Sequence, residues 1–524
     1  MVDETSQKGD KGVAQDGGIR DASIGFGNAE APAPRAPLQP SFELLVLAPF
    51  GITAASTVRI DLSTDFNEAM AAAAPRFDFN AGGGDTPNWI ALTPSSLRDL
   101  SAARLASHLP APAPKATTTQ TAVTKPEGEE PNLEALLSLV DIEASESKRA
   151  GSLLDEYVDN IRRDSSNAAP AAPPPSTPDT SQGLTTLLAD PAFSAFEAAW
   201  RGARLLAGRA DVRAGVRLTL ANLPEDFDGL DSALFAQADL VLVDLAFADK
   251  ALDITRLEAL AALGENERAP VVTNIEADLL ADAPAQNDPG QSFLTMRTPN
   301  WHSLRDREET AWLALCWNDV ALLGAESRAG QPLWGGAAWL LSVAAIESQK
   351  RHGWPVDLAR WIEGLEVVEH SEAGRNRATP VRYDLSRDQL ADLGNAGISA
   401  AAAAPDRDRA IFPRAVTLKR ERRITGDSGG ARSRRQAEFG HSLALARIIG
   451  ALEAVLPRWR ALSPEAAVAE AERFADALIG ETGPNAGYAV ELRQDDGRQC
   501  LELSLKGGDT LLAGDNFSFD LPLS

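Results

Sequence analysis

The chain has 524 residues, of which 44% are hydrophobic, and it carries a formal net charge of −25 at pH 7. This length exceeds the size at which a single hydrophobic core usually stops growing, so we expect two or more domains. The negative charge disfavours nucleic acid and anionic membranes as main partners, because proteins bind both through positively charged surfaces.

The first 40 residues are rich in Gly, Ala and Pro and poor in large apolar side chains, so we expect a flexible arm, 1–40, that cannot fold alone. Ile24 and Phe26 provide its one apolar alternation and could form a strand at a sheet edge. The arm has no signal-peptide core, and no apolar run in the chain approaches the roughly 20 residues of a membrane span. These features predict a cytoplasmic protein without direct membrane insertion.

A small α/β domain is predicted over 41–109. FELLVLAPFG, which begins at Phe42, is typical of a buried strand ended by a Pro/Gly turn, and shorter strands and helices follow it. The next segment, 110–132, is rich in Pro and Thr and has no periodicity, which indicates a linker.

An amphipathic helical segment is predicted over 133–166, followed by a second Pro-rich linker, 167–183. The helix has one apolar stripe at three- and four-residue spacing. Its members are Leu153, Leu154, Tyr157 and Ile161. This stripe needs a partner surface, which docking on the protein's own fold or binding by another protein could provide.

The larger domain is predicted over 184–420. ADLVLVDLAF is a continuous apolar strand, and the strand–helix–strand order around it predicts a parallel sheet with a right-handed crossover. The basic segment 421–435 has three interpretations, namely a solvated loop, a contact with the acidic surface of a neighbouring copy, and a nucleic-acid site. Residues 436–524 contain two helical patterns and alternating strands, which could pair with their own fold or with another chain.

Recognisable catalytic, cofactor and metal-binding patterns are missing from the sequence. Cys316 and Cys500 lie far apart without a CxxC motif, and the five histidines show no metal-ligand spacing. The sequence contains no P-loop or GxGxxG motif. We therefore expect no catalytic residue, no cofactor and no metal, and we do not expect an enzyme.

One cluster of aromatic and charged residues suggests an acid/base or anion site. It combines Trp200 and Arg201 with Trp301, Arg305 and Glu308. A packed core or a subunit contact uses the same residue types, through burial and charge-paired hydrogen bonds. We favour this structural interpretation of the cluster.

In these motifs the chain resembles the two sheath subunits of type VI secretion systems, joined in order. Residues 42–108 resemble the small subunit through FELLVLAPFG and WIALTPSSLRDL, although Arg98-Asp99-Leu100 departs from that family's Asp-Phe. Residues 133–524 resemble the large subunit. The segments that carry this second resemblance are LLADPAFSAFEAAWRGARLLAGR, TPNWHSLRDREETAWLALCWNDVAL, LWGGAAWLLSVAAIESQKRHGWP and YDLSRDQLADLGNAGI.

The resemblance implies an α/β sheath-protomer fold with a small α/β domain, a larger α/β domain with a mixed sheet, and terminal strands for pairing between subunits. It assigns structural motif residues, namely Phe193, Glu197, Trp200, Arg201, Trp301, Arg305, Glu308, Trp334 and Trp354. It also leads us to expect strands that pair between subunits, through Ile24, Phe26, Leu501, Leu503, Leu505, Phe517, Phe519 and Leu521.

The function expected from the resemblance is a structural subunit that polymerises into a helical tube and stores free energy for contraction. The expected partners are further copies of the chain, an inner tube protein and baseplate components. An AAA+ unfoldase is a further partner if it binds the 153–161 helix. The alternative is a non-polymerising adaptor or baseplate component, and a third hypothesis is an enzyme that uses the Arg/Glu cluster.

Overall fold

The computed structural model describes most of the chain from Ser41 onward. The described ranges are 41–61, 65–80, 88–109, 180–224, 229–248, 250–276, 299–372, 375–421, 434–495, 498–512 and 515–523. The arm with Ile24 and Phe26 lies outside them. So do the amphipathic segment with Leu153, Leu154, Tyr157 and Ile161, the first linker, and most of the second linker and of the basic segment.

The first strand, β1 (Phe42–Ala48), is an interior strand of a seven-stranded sheet. Six of its seven residues are buried, as expected for an apolar strand covered on both faces. It pairs in parallel with β5 (Val216–Asn222) on one side and with β6 (Leu240–Phe247) on the other. The short β2 (Thr57–Ile60) pairs antiparallel to β5 and ends the sheet on that side.

The sheet continues on the other side of β6 through three further parallel strands. These are β7 (Val271–Ile275), β8 (Leu313–Trp317) and β13 (Ile398–Ala400). The strand order is β13-β8-β7-β6-β1-β5-β2, so the sheet is mixed and the prediction of an α/β fold with a mixed sheet is confirmed. Its six parallel strands are the arrangement that the strand–helix–strand pattern predicts.

The sequence analysis placed 41–109 and 184–420 in separate domains, whereas the structure places strands from both segments in one sheet. The described residues up to His108 and from Thr186 onward form one compact unit. A second unit spans Leu109–Thr185, of which the structure describes Leu109 and 180–185. The physical reason is that β1 is apolar on both faces, so it needs strands on both sides and helices above and below.

The remaining elements of the first half are short or helical. They are α1 (Phe66–Ala73), β3 (Phe77–Asn80), β4 (Trp89–Leu92), α2 (Ala102–His108), α3 (Thr180–Ala189), α4 (Pro191–Arg209), α5 (Ser232–Phe235) and α6 (Ala251–Glu267). Helix α4 begins as its sequence predicts, because the Asp190 carboxylate accepts hydrogen bonds from the backbone N–H groups of Ala192 and Phe193 at 2.8 and 3.1 Å.

The second half adds helices on both faces of the sheet. Its elements are α7 (Pro299–Asp306), β9 (Val320–Leu323), β10 (Leu333–Gly335), α8 (Ala337–His352), β11 (Val368–Glu372), β12 (Arg375–Thr379), α9 (Arg387–Asn395), β14 (Ala402–Ala403) and β15 (Ala410–Ile411). Helices α4 and α8 cover one face of the sheet, and α6, α7 and α9 pack on the other.

The C-terminal part packs two helices against a separate antiparallel sheet. The helices are α10 (Phe439–Arg460) and α11 (Pro464–Ile479), and the strands are β16 (Gly487–Asp495), β17 (Arg498–Lys506) and β18 (Asn516–Pro522), in that order in the sheet. Helix α10 is the one described helix that is long and apolar enough to cross a membrane by composition, and 56% of that apolar window is buried in the protein. Core helices of soluble proteins meet the same criterion.

Candidate functional site

Glu197 is the centre of a buried ionic cluster on α4. Its side chain has no exposed surface, and its two carboxylate oxygens each accept a 2.8 Å hydrogen bond from a guanidinium Nε, one from Arg201 and one from Arg328. Arg328 also donates to the Leu188 carbonyl oxygen and to Ser194 Oγ, both at 3.0 Å. The cluster therefore fixes the start of α4 to the loop before β10.

The aromatic residues of α4 connect this helix to the first segment of the chain. The Trp200 indole N–H donates to the Phe50 carbonyl oxygen at 3.0 Å, and the Phe50 and Trp200 rings meet edge to face with centroids 5.1 Å apart. Phe193 lies 5.4 Å from Phe77 in a similar geometry. The motif on α4 is thus a packing contact between two segments that are about 150 residues apart in the sequence.

Trp301 and Arg305 lie on α7, on the opposite face of the sheet from Trp200 and Arg201. Arg305 donates from Nε to the Leu418 carbonyl oxygen and from Nη2 to the Asn395 carbonyl oxygen, both at 3.0 Å. Burial, with a smaller contribution from nearby Arg420, lowers the pKa of Arg305 to about 10. Its bonds hold the end of α9 and the segment after β15, so the cluster suggested by the sequence is two separate packing sites.

Three further motif residues have structural surroundings of different kinds. Glu308 is 64% exposed and forms a 2.8 Å ion pair with Lys419, whose side chain is buried. Trp354 is buried, and the Arg447 guanidinium lies 5.1 Å from its ring centroid. Trp334 is partly buried on β10 and lines a surface cavity.

Asp244 on β6 has a strongly raised pKa. Burial, together with the nearby charge of Asp319, raises the pKa of Asp244 to about 7, although the hydrogen bond from Asn274 opposes the shift. The Asn274 Nδ2–Asp244 Oδ1 distance is 3.2 Å, and Asn274 Oδ1 accepts a 2.8 Å bond from the Ala338 N–H at the start of α8. Within the described ranges, no group of three His, Cys, Asp or Glu residues could hold a metal ion.

Sequence reasoning missed Phe50, Arg328 and Asn274. Phe50 accepts the Trp200 hydrogen bond through its backbone oxygen, and Arg328 ends the short 3-10 helix Ala325–Arg328, which has no periodicity, so neither gave a signal. Asn274 had one: it is an amide near the end of the largely apolar strand VVTNI, and a buried amide in such a place needs partners.

The C-terminal strands correct the prediction that their apolar side chains meet a neighbouring chain. Six of these side chains are buried against α10 and α11 of the same chain, namely Leu501, Leu503, Leu505, Phe517, Phe519 and Leu521. Strand β17 is paired on both sides, with β16 and β18. The prediction failed because an alternating strand requires a cover for its apolar face, and this chain supplies that cover itself.

The outer strand β16 is covered less completely than β17. Tyr488 and Leu492 are paired with Leu505 and Leu501, so they lie on the helix-facing side of the sheet. They are nevertheless 42% and 43% exposed. Among the described residues, β16 pairs on one side only, with β17. The protein therefore presents a strand edge with an uncovered apolar margin.

The fold is α/β, and its aromatic and ionic clusters pack the elements against one another. The sequence matches no protein-family model, and no curated protein matches it at a significant level. Among solved structures, it is similar to a chain of the cryo-EM structure of the anti-feeding prophage (AFP) baseplate, 6-fold symmetrised. The two are 15% identical with a TM-score of 0.35, and the similarity covers 58% of this chain and 75% of that chain. Similarity at this level defines neither a family nor a function.

Proposed function

We propose that this chain is a structural subunit of a type VI secretion-like contractile sheath, in which the small and the large subunit are fused. The observation that carries the proposal is the position of β1 between β5 and β6. The segments that resemble two different subunits complete one sheet, so each depends on the other for its fold. A fusion fixes their ratio at one to one and makes their association intramolecular.

The arrangement of the charged residues supports a non-enzymatic role. Glu197 is occupied by two arginines, Arg305 by two backbone carbonyl groups, and Glu308 by Lys419. A general acid or base must reach the proton that it transfers. Groups held in this way are suited to fixing helices and strands against one another. We therefore propose that the protein acts as a mechanical component, in the cytoplasm.

The β16 edge supports assembly by strand addition. An extended segment can add to an exposed sheet edge through main-chain hydrogen bonds, with alternate side chains filling apolar positions. Tyr488 and Leu492 provide such positions, and the alternating Ile24 and Phe26 of a neighbouring copy would cover them. Repeated head-to-tail contacts of this kind generate a helical polymer when the rotation does not close.

Contraction follows if the polymer has two packings of different free energy. Interfaces between rigid protomers switch between discrete arrangements, so a collective rotation can release energy stored during assembly. The proposed partners of the tube are an inner tube protein and baseplate components. An AAA+ unfoldase that engages Leu153–Ile161 would recycle the contracted tube, whereas docking of that helix on its own fold would exclude such recycling.

Electron microscopy of the purified full-length protein tests the proposal. Tubes are expected for the natural sequence and should be lost in Leu492→Lys, because a lysine on an open edge opposes strand pairing. Leu252→Lys is the matched control, since Leu252 is 61% exposed on α6 and should tolerate the change. Deletion of residues 516–524 would not be a specific test of tube formation, because Phe517, Phe519 and Leu521 belong to the core of the protein.

Each outcome of this experiment separates the candidates. Soluble monomers or small rings at every salt concentration would reject the sheath and favour the adaptor or baseplate component. Tubes that form equally well with Leu492→Lys would reject strand addition at β16 and leave the polymer to another contact.

A further inference from the structure

A surface cavity of about 460 Å³ lies beside β10 and β11. Its lining includes Pro332, Trp334, Glu369, Arg382 and Tyr383, and we call it the aromatic pocket. The volume lies within the range of pockets that bind small ligands or short peptide segments.

The tyrosine wall of the aromatic pocket is held rigidly. The Tyr383 ring stacks on the buried Trp317 with centroids 5.3 Å apart and an angle of 4° between the planes. The Asn318 side chain makes two hydrogen bonds to the Tyr383 backbone. It accepts from the N–H at 2.8 Å and donates to the carbonyl oxygen at 2.9 Å. A wall fixed before binding costs little conformational entropy when a ligand arrives.

The tryptophan wall is set by an irregular hairpin. The pairing of β9 with β10 shifts register between Leu333 and Trp334, and such bulges redirect side chains. The neighbouring Gly335 lies so close to Leu322 that an added Cβ would meet its side chain at 2.4 Å, so the hairpin is tightly packed at this point. Trp334 and Tyr383 thus form two positioned aromatic walls.

The charges around the aromatic pocket favour a cation. Arg382 is paired with Asp319 at 3.1 Å and lies 5.7 Å from the Tyr383 ring centroid. Glu369 is exposed and makes no ion pair among the residues that the structure describes. A ligand with apolar rings and one positive charge fits these walls.

Proline-rich segments have this chemistry, because they adopt an extended helix without ordering cost and bind between aromatic side chains. The chain has three such segments. The segment 167–183 contains no Lys or Arg, and 110–132 contains three Glu against two Lys. The segment 32–40, PAPRAPLQP, contains Arg35 between prolines and no acidic residue. Charge complementarity therefore selects 32–40.

Arg35 of the same chain cannot reach its own aromatic pocket. In the parallel register Leu45 lies level with Leu313, so Trp317, on which Tyr383 stacks, is eight residues further along the sheet than Ser41 and three strands to the side. These offsets amount to about 30 Å. Arg35 is six residues before Ser41 and can extend at most about 21 Å from it. An occupant that places Arg35 at the pocket therefore comes from another molecule.

We propose that the aromatic pocket binds residues 32–40 of a second copy of this chain, with prolines between Trp334 and Tyr383 and Arg35 paired with Glu369. This contact rests on the proposed function in one respect, since both require copies of the chain to associate. It concerns a different surface from the β16 edge.

Crosslinking between two full-length variants tests the contact. Both carry Cys500→Ser, and Cys316 is buried and unreactive. One carries Pro37→Cys and the other Ala325→Cys, in the lining of the aromatic pocket, so that Glu369 stays intact, and the mixture is treated with a short bismaleimide. The expected product is a covalent dimer. Glu366→Cys, which is exposed and lies outside the pocket lining, is the matched control and should give little of it.

Two substitutions identify the chemistry. Trp334→Ala should weaken the contact roughly 30-fold, as expected for an aromatic anchor, and abolish the dimer. Arg35→Glu should abolish it without touching the described fold, which keeps the test valid if Trp334→Ala misfolds. Equal yields with Glu366→Cys, or a yield unaffected by Arg35→Glu, would overturn the proposal. The proposal would also be overturned if a peptide of residues 167–183 suppressed the crosslink and a peptide of residues 32–40 did not.

The outcome is separable from that of the sheath proposal. Specific dimers from a protein that never forms tubes would support the pocket contact and reject the sheath. Tubes without any specific crosslink would reject the pocket contact and leave the sheath proposal intact.

Discussion

Glu197 illustrates how much depends on a single buried charge. An ion pair away from water contributes little net stability compared with apolar residues of the same shape, but removing one partner leaves the other charge uncompensated. Arg328, with a side chain only 5% exposed, would be that uncompensated charge. The cluster is therefore a fragile point of the fold even if its net contribution is small.

Glu197→Gln should lower the free energy of unfolding by about 3 to 5 kcal/mol, because it removes the countercharge of Arg328. Urea denaturation followed by circular dichroism measures the change. Glu347→Gln is the control: Glu347 pairs with Arg209 at 3.0 Å with both side chains 21% exposed, and its loss should cost about 1 kcal/mol or less. Similar costs for both variants would contradict the argument.

Asp244 gives a pH dependence of defined sign. Because its pKa is raised to about 7, mainly by burial, the folded protein holds a proton that the unfolded chain has released between pH 4 and 7. Stability therefore falls as pH rises through this range. Burial raises the pKa values of Glu265, Asp319 and Glu438 as well, so the decline is shared.

Asp244→Asn should remove part of that decline, of the order of a few kcal/mol between pH 5 and pH 8. The measurement is the midpoint of thermal unfolding at both pH values for the variant and the natural protein. An unchanged difference between the two pH values would show that the Asp244 carboxyl does not carry the effect.

Single residues were predictable where a local rule applies. The Asp190-Pro191 helix start and the Glu197–Arg201 pair at four-residue spacing both follow from helix geometry. Arg328 was not predictable, because its partner lies 131 residues away and no local pattern marks it. The grouping of Trp200 and Trp301 in one cluster was wrong for the same reason: nothing local reveals which face of a sheet a helix will cover.

At the scale of elements, the contact between α4 and α8 depends on one missing side chain. A Cβ on Gly202 would lie 2.5 Å from the Trp339 ring, whereas a Cβ on Gly208 of the same helix would meet nothing within 4 Å. The two helices approach closely because Gly202 leaves room for an indole. Substituting each of these two glycines by alanine therefore distinguishes the effect of helix propensity from the effect of packing.

Gly202→Ala should destabilise the protein by about 1 to 3 kcal/mol, because the added methyl group overpacks the contact. Gly208→Ala should stabilise it by about 0.5 to 1 kcal/mol, because alanine favours a helix more than glycine does. Chemical denaturation of both variants provides the comparison. A shift of the same sign in both would show that propensity alone governs this helix.

Elements were easier to predict than their neighbours. The alternation in YAVELRQ and QCLELSLKG identified two strands, which the structure contains as β16 and β17. Their cover could not be predicted, because an apolar face is satisfied equally by α11 of the same chain and by a strand of another. The choice depends on the packing of α10 and α11, which has no sequence pattern of its own.

At the scale of the whole molecule, the order of strands in the sheet differs from their order in the chain. The strand synthesised first lies between two that follow more than 160 residues later. The sequence resemblance suggested a domain boundary where the structure has a shared sheet. The compact unit is formed by the shared sheet, to which both segments of the chain contribute strands.

Cleaving the chain at a protease site introduced near residue 120 should leave the two pieces associated, because β1 remains paired on both sides. Gel filtration should show both pieces in one peak. A chain beginning at 184 and produced alone should aggregate, since it exposes the edges of β5 and β6 and the core that β1 covers. Separation of the cleaved pieces without denaturant would contradict this expectation.

The central place of β1 also has a consequence for biosynthesis. Ribosomes add about 5 to 20 residues per second, and Phe42 pairs with Val216, so β1 leaves the ribosome roughly 10 to 30 s before its first sheet partner. During this interval Leu44 and Val46, buried in the finished protein, have no strand to pair with. The nascent chain therefore passes through a long aggregation-prone stage, and its yield in a cell should depend on chaperones that bind apolar segments early in translation.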